Sequence, residues 1–275
     1  MSADQTFYTL NNGADNLEEN RLEHQHGILL EMTKTLIPAS IAGHLAMLGR
    51  PPVIADIGTG TGIWLRHLAT LMPPTSRMDG YDFDMSKFLN PEQLPPNIRL
   101  TYGDALRPFP AELLGAYDLV HVRLLAYGLK ASQWETTAAN LCTLLRPGGY
   151  LMWEDIGLTS WQSLPITEHF MKWFNVEVRS PLLLRDQFER VGLINCLQQE
   201  FSSFGGSIEL RKVAGKALVA VGAQSLHGLV DRGGFEWVQS HSDVDELMNA
   251  ILMDIDNGVS QVGCSIHRFI GQKPE

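Results

Sequence analysis

The stretch VIADIGTGTG, from Val53 to Gly62, constrains the fold of this chain more than any other segment. An apolar run ends in the carboxylate Asp56, three glycines then alternate with threonines, and a second apolar run begins at Ile63. This order predicts a buried strand, a tight turn and a helix. A glycine-rich turn at the carboxyl end of a first strand is typical of a ligand site.

The spacing of the glycines separates two classes of ligand. The dinucleotide fingerprint requires its third glycine three residues after the second, and Ile63 occupies that position here. The chain instead has Asp-x-Gly-x-Gly-x-Gly beginning at Asp56, whose carboxylate would repel a diphosphate and attract an ammonium or sulfonium group. The spacing therefore argues against a dinucleotide. It leaves a ligand with a cationic group, or a tight turn that binds nothing.

At this motif the sequence resembles the class I S-adenosylmethionine-dependent methyltransferases. The resemblance implies that the turn holds the amino-acid end of the cofactor. It assigns five residues of the motif to the cofactor site: Asp56, Gly58, Thr59, Gly60 and Gly62. It also implies an α/β fold, a doubly wound, Rossmann-like sheet of seven strands.

Composition limits the partners of the chain. Its 275 residues are 44% hydrophobic and carry a net charge of −10, with a pI near 5.3, which fits one large domain or a domain with a lid. Because such a surface does not attract phosphates, we expect neither a nucleic acid nor a membrane as partner. Three scattered cysteines, without metal-ligand spacing, predict reduced thiols in a cytoplasmic protein. No apolar run of membrane-spanning length is evident in the sequence. A homodimer is left open.

Residues 1–50 predict a helical lid ahead of the main domain, which spans residues 51–275. Asp15 and Glu18 have the spacing of a capping box, and a helix is expected from there to Pro38. A second helix is expected from Ser40 to Leu48. In the family that the chain resembles, such helices form a lid over the cofactor.

Four residues of this lid are candidates for lining the acceptor cleft: Tyr8, Arg21, Gln25 and His26. His24 and His26 suggest a metal site at first sight. Residues two apart on a helix point about 200° apart, so these two imidazoles are not expected to share an ion. One exposed and one packed histidine is the preferred interpretation.

The second predicted strand, from Arg77 to Asp84, also ends in carboxylates. Doubly wound nucleoside-binding folds place a carboxylate here that accepts hydrogen bonds from ribose hydroxyls. Asp82, in a Gly-x-Asp pattern, is preferred for this role, with Phe83 beside it as a further cofactor contact. Asp84 is the alternative, and it can also cap the turn that follows.

The third predicted strand, Ile98 to Tyr102, is followed by Gly103-Asp104-Ala105. In the family resembled, an acid at this position binds the adenine amino group and the next residue's backbone amide meets the ring. The resemblance therefore implies that Asp104 and Ala105 contact adenine. A glycine-aspartate pair is also common in turns that bind nothing.

The fourth predicted strand, Tyr117 to Leu124, brings His121 and Arg123 to one face near its carboxyl end. The reacting methyl group is expected there, because ligands lie at the carboxyl ends of parallel strands. A neutral histidine can remove the proton of a hydroxyl acceptor, so His121 is the candidate general base. A cofactor contact is the alternative role for His121, and Arg123 is a second candidate contact.

The rest of the chain carries weaker signals. Arg146 to Gly149 predicts a turn into a fifth strand, Tyr150 to Trp153, and helical cap segments are expected around residues 161–190 and 210–258. The segments 193–201 and 262–270 predict two last strands, which the resembled family pairs antiparallel. Three aromatic residues are candidates to stack on a flat acceptor: Tyr127, Trp153 and Phe170.

Several short runs resemble, more narrowly, the fungal LaeA-like group, which includes methyltransferases of indole and diketopiperazine alkaloids. They are Arg21-Leu22, Gln25-His26, Leu94 to Asn97 and Tyr117 to Arg123. The resemblance implies an S-adenosylmethionine-dependent methyltransferase with a small-molecule acceptor. The preferred reaction is O-methylation of a phenol, enol or N-hydroxyl of a fungal secondary metabolite such as an indole alkaloid. N-methylation, a methyltransferase-fold cyclase and a LaeA-like regulator without small-molecule turnover are the alternatives.

Overall fold

The computed structural model describes residues 15–126, 128–156, 180–234, 238–259 and 262–275, and no side chains at 15–18 and 180–182. Three predicted acceptor contacts therefore lie outside the described residues: Tyr8, Tyr127 and Phe170. The side chains of the predicted capping box, Asp15 and Glu18, lie outside them too.

A seven-stranded sheet forms the centre of the fold, with strand order β3-β2-β1-β4-β5-β7-β6. Its strands are β1 (Val53–Ile57), β2 (Arg77–Asp82), β3 (Ile98–Tyr102), β4 (Tyr117–Arg123), β5 (Leu145–Ile156), β6 (Ile194–Ser202) and β7 (Ser265–Gln272). The first five strands pair in parallel, and β7 is antiparallel to both β5 and β6. The predicted doubly wound, Rossmann-like class is confirmed, as is the antiparallel pairing of the last two strands.

Helices follow the predicted order along the chain. They are α1 (Asp15–Thr33), α2 (Ala39–Ala46), α3 (Ile63–Ala69), α4 (Trp134–Leu144), α5 (Ser180–Arg190), α6 (Ile208–Val230) and α7 (His241–Asp256). The first helix ends at Thr33, five residues before Pro38, where its stop was predicted. The reason is that Lys34 adopts φ 60, a left-handed conformation that ends an α-helix.

The prediction of a turn from Arg146 to Gly149 is wrong, because these residues belong to the fifth strand. The fifth strand already begins at Leu145, and its register on β4 shifts between Tyr117 and Leu119, as at a β-bulge. Gly148 has φ 76, and its N–H donates to the Lys273 carbonyl at 3.0 Å. The glycine pair thus bends a continuous strand instead of preceding it.

Helices cover both faces of the sheet. One face packs on α2 and α3 through a cluster that includes Ile41, Ile54 and Trp64. The opposite face packs on α4 and α5 through Trp134 and Phe188. A parallel sheet needs this double cover, because its strands are apolar on both faces.

A third apolar cluster joins α1 to α6 and α7. It includes Ile28 of α1, Leu218 of α6 and Val244 of α7, and it reaches Ile156 at the carboxyl end of β5. The N-terminal helix therefore packs on the helices that lie between β6 and β7. This cluster places α1 and α6 beside the edge of the sheet at which ligands bind in folds of this class.

The length of α6 corrects one expectation from the sequence. The helix has 23 residues, and an 18-residue window within it has a mean hydropathy of 1.3, which makes it long and apolar enough to cross a membrane by length and composition alone. A core helix meets the same criterion. α6 packs against α1 and α7 in the third apolar cluster, and 44% of its apolar window is buried.

Candidate functional site

The glycine turn after β1 has the backbone that its sequence requires. Gly58, Gly60 and Gly62 have φ of 70, 56 and 74, in the left-handed region that favours glycine. A Cβ on Gly58 would lie 2.9 Å from a Leu125 methyl, and one on Gly60 would lie 3.1 Å from a Leu22 methyl. Side chains at these positions would both strain the turn and fill the space beside it.

Asp56 lies at the base of this turn, with 3% of its surface exposed. Its Oδ2 accepts the Thr59 hydroxyl at 2.7 Å, and its Oδ1 lies 2.7 Å from His121 Nδ1. The partners come together because Asp56 is in register with His121 on the adjacent β4. These two hydrogen bonds therefore fix the buried Asp56 carboxylate at the base of the turn.

Asp82 lies across the same turn, at the end of β2. Its Oδ2 accepts the Gly60 N–H at 2.9 Å, and its Oδ1 accepts the Asp84 N–H at 3.0 Å. Burial raises the pKa of Asp82 more than these two donors lower it. The Asp84 side chain instead caps a short 3₁₀ turn, accepting the Ser86 N–H at 3.1 Å. The geometry supports Asp82 as the ligand-facing carboxylate and Asp84 as the cap.

His121 is fully buried beneath the turn. Its ring stacks on Trp64 with centroids 3.7 Å apart, and its Nε2 lies 3.5 Å from Glu154 Oε2. Because Asp56 faces the other nitrogen, both nitrogens of the ring point towards carboxylates. This geometry supports His121 as a contact that orients Asp56. Its predicted role as general base stays a prediction.

Glu154 forms a buried ion pair with Arg268 behind His121. Its Oε1 accepts from Arg268 Nε at 2.8 Å and from Nη2 at 2.7 Å. Burial would raise the pKa of Glu154, but His121, Arg268 and Arg123 together lower it to about 2. Arg268 Nη2 also donates to the Thr35 carbonyl at 2.7 Å, so the pair connects the sheet to the segment that follows α1.

Arg123 binds α1 through His26. Arg123 Nη2 lies 3.0 Å from His26 Nδ1, and His26 Nε2 lies 3.0 Å from His67 Nδ1 on α3. Burial, and then the charge of Arg123, lower the pKa of His26 to about 3. The imidazole is therefore neutral near pH 7, accepting from Arg123 and donating to His67. His24 is exposed, as expected from the helical spacing.

These residues surround one cavity at the carboxyl edge of the sheet. It brings together ten predicted site residues: Arg21, Gln25, Asp56, Gly58, Thr59, Gly60, Asp82, Phe83, His121 and Arg123. It also includes nine residues to which no role had been given: Leu22, Ile63, Trp64, Lys87, Leu124, Leu125, Gly128, Ile156 and Val221. The position of Leu124 and Leu125 just past β4 could have indicated them, whereas Val221 carries no local signal.

Other predicted residues lie elsewhere. Trp153 was expected to stack on the acceptor, but it is fully buried and stacks on Trp134 with centroids 5.3 Å apart, so that prediction is wrong. His26 was expected to line the acceptor site and instead binds Arg123 and His67 beneath α1. Gly62 is the N-cap of α3, and a Cβ at this position would lie 3.2 Å from a Leu100 methyl.

Asp104 and Ala105 are half-buried and are not among the residues that line the cavity. The Asp104 carboxylate accepts the Leu106 N–H at 2.9 Å within its own turn. Their predicted contact with adenine stays a prediction.

The polar groups of the cavity fit a ligand with hydroxyls and a charged amino-acid end. Each oxygen of Asp82 accepts one N–H and keeps a lone pair for a hydroxyl donor. Trp64 Nε1 and His121 Nε2 are buried without a hydrogen-bond partner among the described residues. Asp56 offers a carboxylate to a cationic group at the glycine turn. Within the part of the chain that the structure describes, no group of three or more His, Cys, Asp or Glu side chains could hold a metal ion.

Comparison with known proteins agrees with this geometry. A family model described as a methyltransferase domain matches residues 34–240. The methyltransferase grgD of Penicillium sp is 39% identical over 150 residues, covering 52% of this chain and 51% of that protein. The secondary metabolism regulator laeA of Fusarium oxysporum is 25% identical over 287 residues, covering 94% of this chain and 86% of that protein. The chain spans about half the length of the curated methyltransferases it matches.

A solved structure shares the fold. The phosphoethanolamine N-methyltransferase 2 of Haemonchus contortus, in complex with S-adenosyl-L-methionine, has a TM-score of 0.57 at 12% identity, covering 99% of this chain and 61% of that one. Identity this low shows the fold alone. The family model, however, matches more than half of the chain. The protein therefore belongs to the methyltransferase domain family, in the class I S-adenosylmethionine-dependent, LaeA-like group that its sequence resembles.

Proposed function

We propose that the protein transfers the methyl group of S-adenosylmethionine to a hydroxyl of a small molecule in fungal secondary metabolism. The preferred acceptor is a phenol, enol or N-hydroxyl, as in an indole alkaloid. The observation that carries the proposal is the convergence of Asp56, Asp82 and the glycine turn on one cavity. The fungal relatives support the metabolic context.

Residues of two strand ends, those of β1 and β2, would hold the cofactor. Asp82 has lone pairs for the two ribose hydroxyls, and Asp56 with the turn at Gly58 and Gly60 suits the charged amino-acid end. When bound, the cofactor supplies a methyl group that its sulfonium already activates. What remains for the chain is to align the acceptor and to exclude water.

The apolar part of the cavity suits the acceptor. Leu22 of α1, Leu124 and Leu125 after β4, and Val221 of α6 line it. Such a surface excludes water and favours a flat, uncharged ring over a charged one. His121 is the only imidazole among the described lining residues, and both of its nitrogens point towards carboxylates. An acceptor whose hydroxyl is itself acidic would need little help from a base.

N-methylation of a similar metabolite is the nearest alternative, because the same cavity could hold an amine. A regulator without small-molecule turnover is the second candidate. It is favoured by the similarity to laeA over nearly the whole chain. A reducing compartment such as the cytoplasm is also part of the proposal, and the free thiols of Cys142, Cys196 and Cys264 support it. We propose no nucleic acid or membrane as partner.

One experiment separates these functions. The full chain is incubated with methyl-labelled S-adenosylmethionine and a fungal metabolite extract, with Asp82→Ala as the control. We expect a labelled small molecule with the unaltered chain and little with the variant. An unlabelled, rearranged product would indicate a cyclase. Cofactor binding without any changed metabolite would favour the regulator, and failure to bind the cofactor would refute the proposal.

A further inference from the structure

Asp155 is a buried carboxyl group that the proposed function does not use. It is the residue before the last of β5, and it is fully buried. Its Oδ2 accepts the Trp153 indole N–H and the Ala126 N–H, both at 3.1 Å, and its Oδ1 accepts the Ile156 N–H at 2.9 Å. The Leu125 backbone is a further hydrogen-bond partner. One side chain thus binds the backbone of β5 and that of the segment that follows β4.

The backbone that Asp155 holds carries an apolar wall of the cavity. Leu124, Leu125 and Ile156 line the cavity, and each is either a backbone partner of Asp155 or adjacent to one. Leu124 has φ 58, a left-handed conformation that is rare for leucine. Such a conformation persists only where surrounding contacts fix it. The hydrogen bonds of Asp155 are contacts of that kind.

A carboxylate suits this position better than an amide. Its two oxygens can accept up to four hydrogen bonds, whereas the asparagine side chain would turn an N–H group towards backbone donors. Asp155→Asn therefore preserves the volume of the side chain and removes half of its accepting capacity. The buried charge has a cost, because burial outweighs the hydrogen bonds and raises the pKa of Asp155 to about 7.

We propose that Asp155 is a positioning residue that fixes Leu124, Leu125 and Ile156 as the wall on which the acceptor lies. This inference rests on the proposed function, and it deepens it by naming the class of acceptor. A wall of leucine and isoleucine side chains, completed by Val221 of α6, selects an apolar, uncharged ring.

The groups around Asp155 give the wall a dependence on pH. His267, its register partner on β7, has a pKa lowered by burial and is neutral near pH 7. Trp153 of its own strand and the backbone after β4 contribute only N–H donors. Protonation of Asp155 would therefore turn one acceptor into a donor that faces other donors. The wall is expected to loosen as the pH falls below about 7.

Hydrogen exchange in the full chain, with S-adenosylhomocysteine bound, tests this role. We expect Asp155→Asn to accelerate exchange of the Leu125 and Ala126 amides by at least about tenfold. The affinity for S-adenosylhomocysteine, measured by calorimetry, should change less than about twofold. In the unaltered chain, exchange at these two amides, corrected for the intrinsic pH effect, should increase as the pH falls from 8 to 6. The variant should lack that dependence.

Asp118→Asn is the matched control, because Asp118 is a buried carboxylate at the opposite end of β4. We expect it to lower the melting temperature without changing exchange at Leu125 and Ala126. Unchanged exchange in Asp155→Asn, or equal acceleration in both variants, would overturn the role of Asp155.

The labelled-methyl assay with the fungal extract tests the acceptor part. Asp155→Asn should raise the extract concentration needed for half-maximal labelling more than it lowers the maximal rate. A loss in maximal rate alone would overturn the acceptor wall. If the unaltered chain produces no labelled small molecule, the proposed function fails. The hydrogen-exchange rates of Leu125 and Ala126 still show whether Asp155 fixes the backbone after β4.

Discussion

The two edges of the parallel sheet carry buried carboxylates of different kinds. At the amino end of β4, Asp118 accepts hydrogen bonds from Arg50 at 2.7 Å, Arg146 at 3.0 Å and the Val53 N–H at 2.8 Å. Burial would raise the pKa of Asp118, but these donors lower it. At the carboxyl edge, two backbone N–H groups of the described residues donate to Asp82, and burial raises its pKa.

The difference shows how one fold separates stability from function. A carboxylate whose charge two arginines compensate contributes to the folded state and has no need of a ligand. A carboxylate with unused lone pairs and a raised pKa is incompletely stabilised until a ligand supplies hydrogen bonds. The carboxyl edge also contains a buried arginine, Arg268. Variants of this edge should therefore separate residues that stabilise the fold from residues that bind the cofactor.

The largest expected effect comes from the buried pair of Glu154 and Arg268. Arg268 is 2% exposed, so Arg268→Ala leaves Glu154 buried without its partner and should lower the free energy of unfolding by about 3–5 kcal/mol. Arg50 is 41% exposed at the amino edge, and Arg50→Ala should cost about 0–1 kcal/mol. Urea denaturation of both variants measures the contrast. Equal losses would mean that burial of the arginine does not determine the cost of removing it.

The second effect concerns cofactor affinity. Asp82→Ala removes hydrogen bonds to a charged group, which are worth on the order of 1.5–3 kcal/mol, so the affinity for S-adenosylhomocysteine should fall at least about tenfold. Asp118→Ala, at the other edge, should leave that affinity unchanged. Calorimetry on both variants distinguishes them. Unchanged affinity in Asp82→Ala would refute the assignment of this carboxylate to the ribose.

The contrast between the edges also explains what the sequence could predict. The glycine turn and the acids at Asp56 and Asp82 are local signals, because each follows its own strand directly. The pair of Glu154 and Arg268 joins residues 114 positions apart and has no local pattern. Trp153 was misplaced because both faces of a parallel strand are apolar, so periodicity does not reveal which face meets the ligand.

The same limit applies to α1. Its spacing predicted one packed and one exposed histidine, and the structure has His26 packed and His24 exposed. The partner of His26 is Arg123, 97 residues further along the chain, and no local pattern could predict that contact. His26 was therefore assigned to the acceptor when its contacts are with the sheet and α3.

The third prediction uses pH to separate the edges. The pKa of His26 is about 3 in the folded chain and near 6.5 when unfolded, so below pH 6.5 the unfolded state binds the extra proton. The contribution of His26 to the free energy of unfolding should therefore fall by about 1–2 kcal/mol between pH 7 and pH 5, measured as the difference in slope between the unaltered chain and His26→Gln. His26→Gln should remove most of this slope, and His24→Gln should retain it. A slope unaffected by His26→Gln would mean that this imidazole is not buried in its neutral form.

The smallest effect decides the role of His121. If His121 orients Asp56, His121→Asn loses or lengthens one hydrogen bond to a charged group. The affinity for S-adenosylhomocysteine and the rate of methyl transfer should then fall to a comparable degree. Each loss should correspond to a free-energy change of about 1–1.5 kcal/mol. A general base would give a different result, with transfer reduced at least about a hundredfold and affinity nearly unchanged. Asparagine is the sharper substitution, because its shorter side chain reaches Asp56 only through a longer hydrogen bond and cannot remove a proton. Since both nitrogens of His121 point towards carboxylates, at 2.7 and 3.5 Å, we expect the comparable losses. That result would place His121 with the residues that hold the cofactor side of the cavity, and the acceptor's own acidity would then have to make up for the missing base.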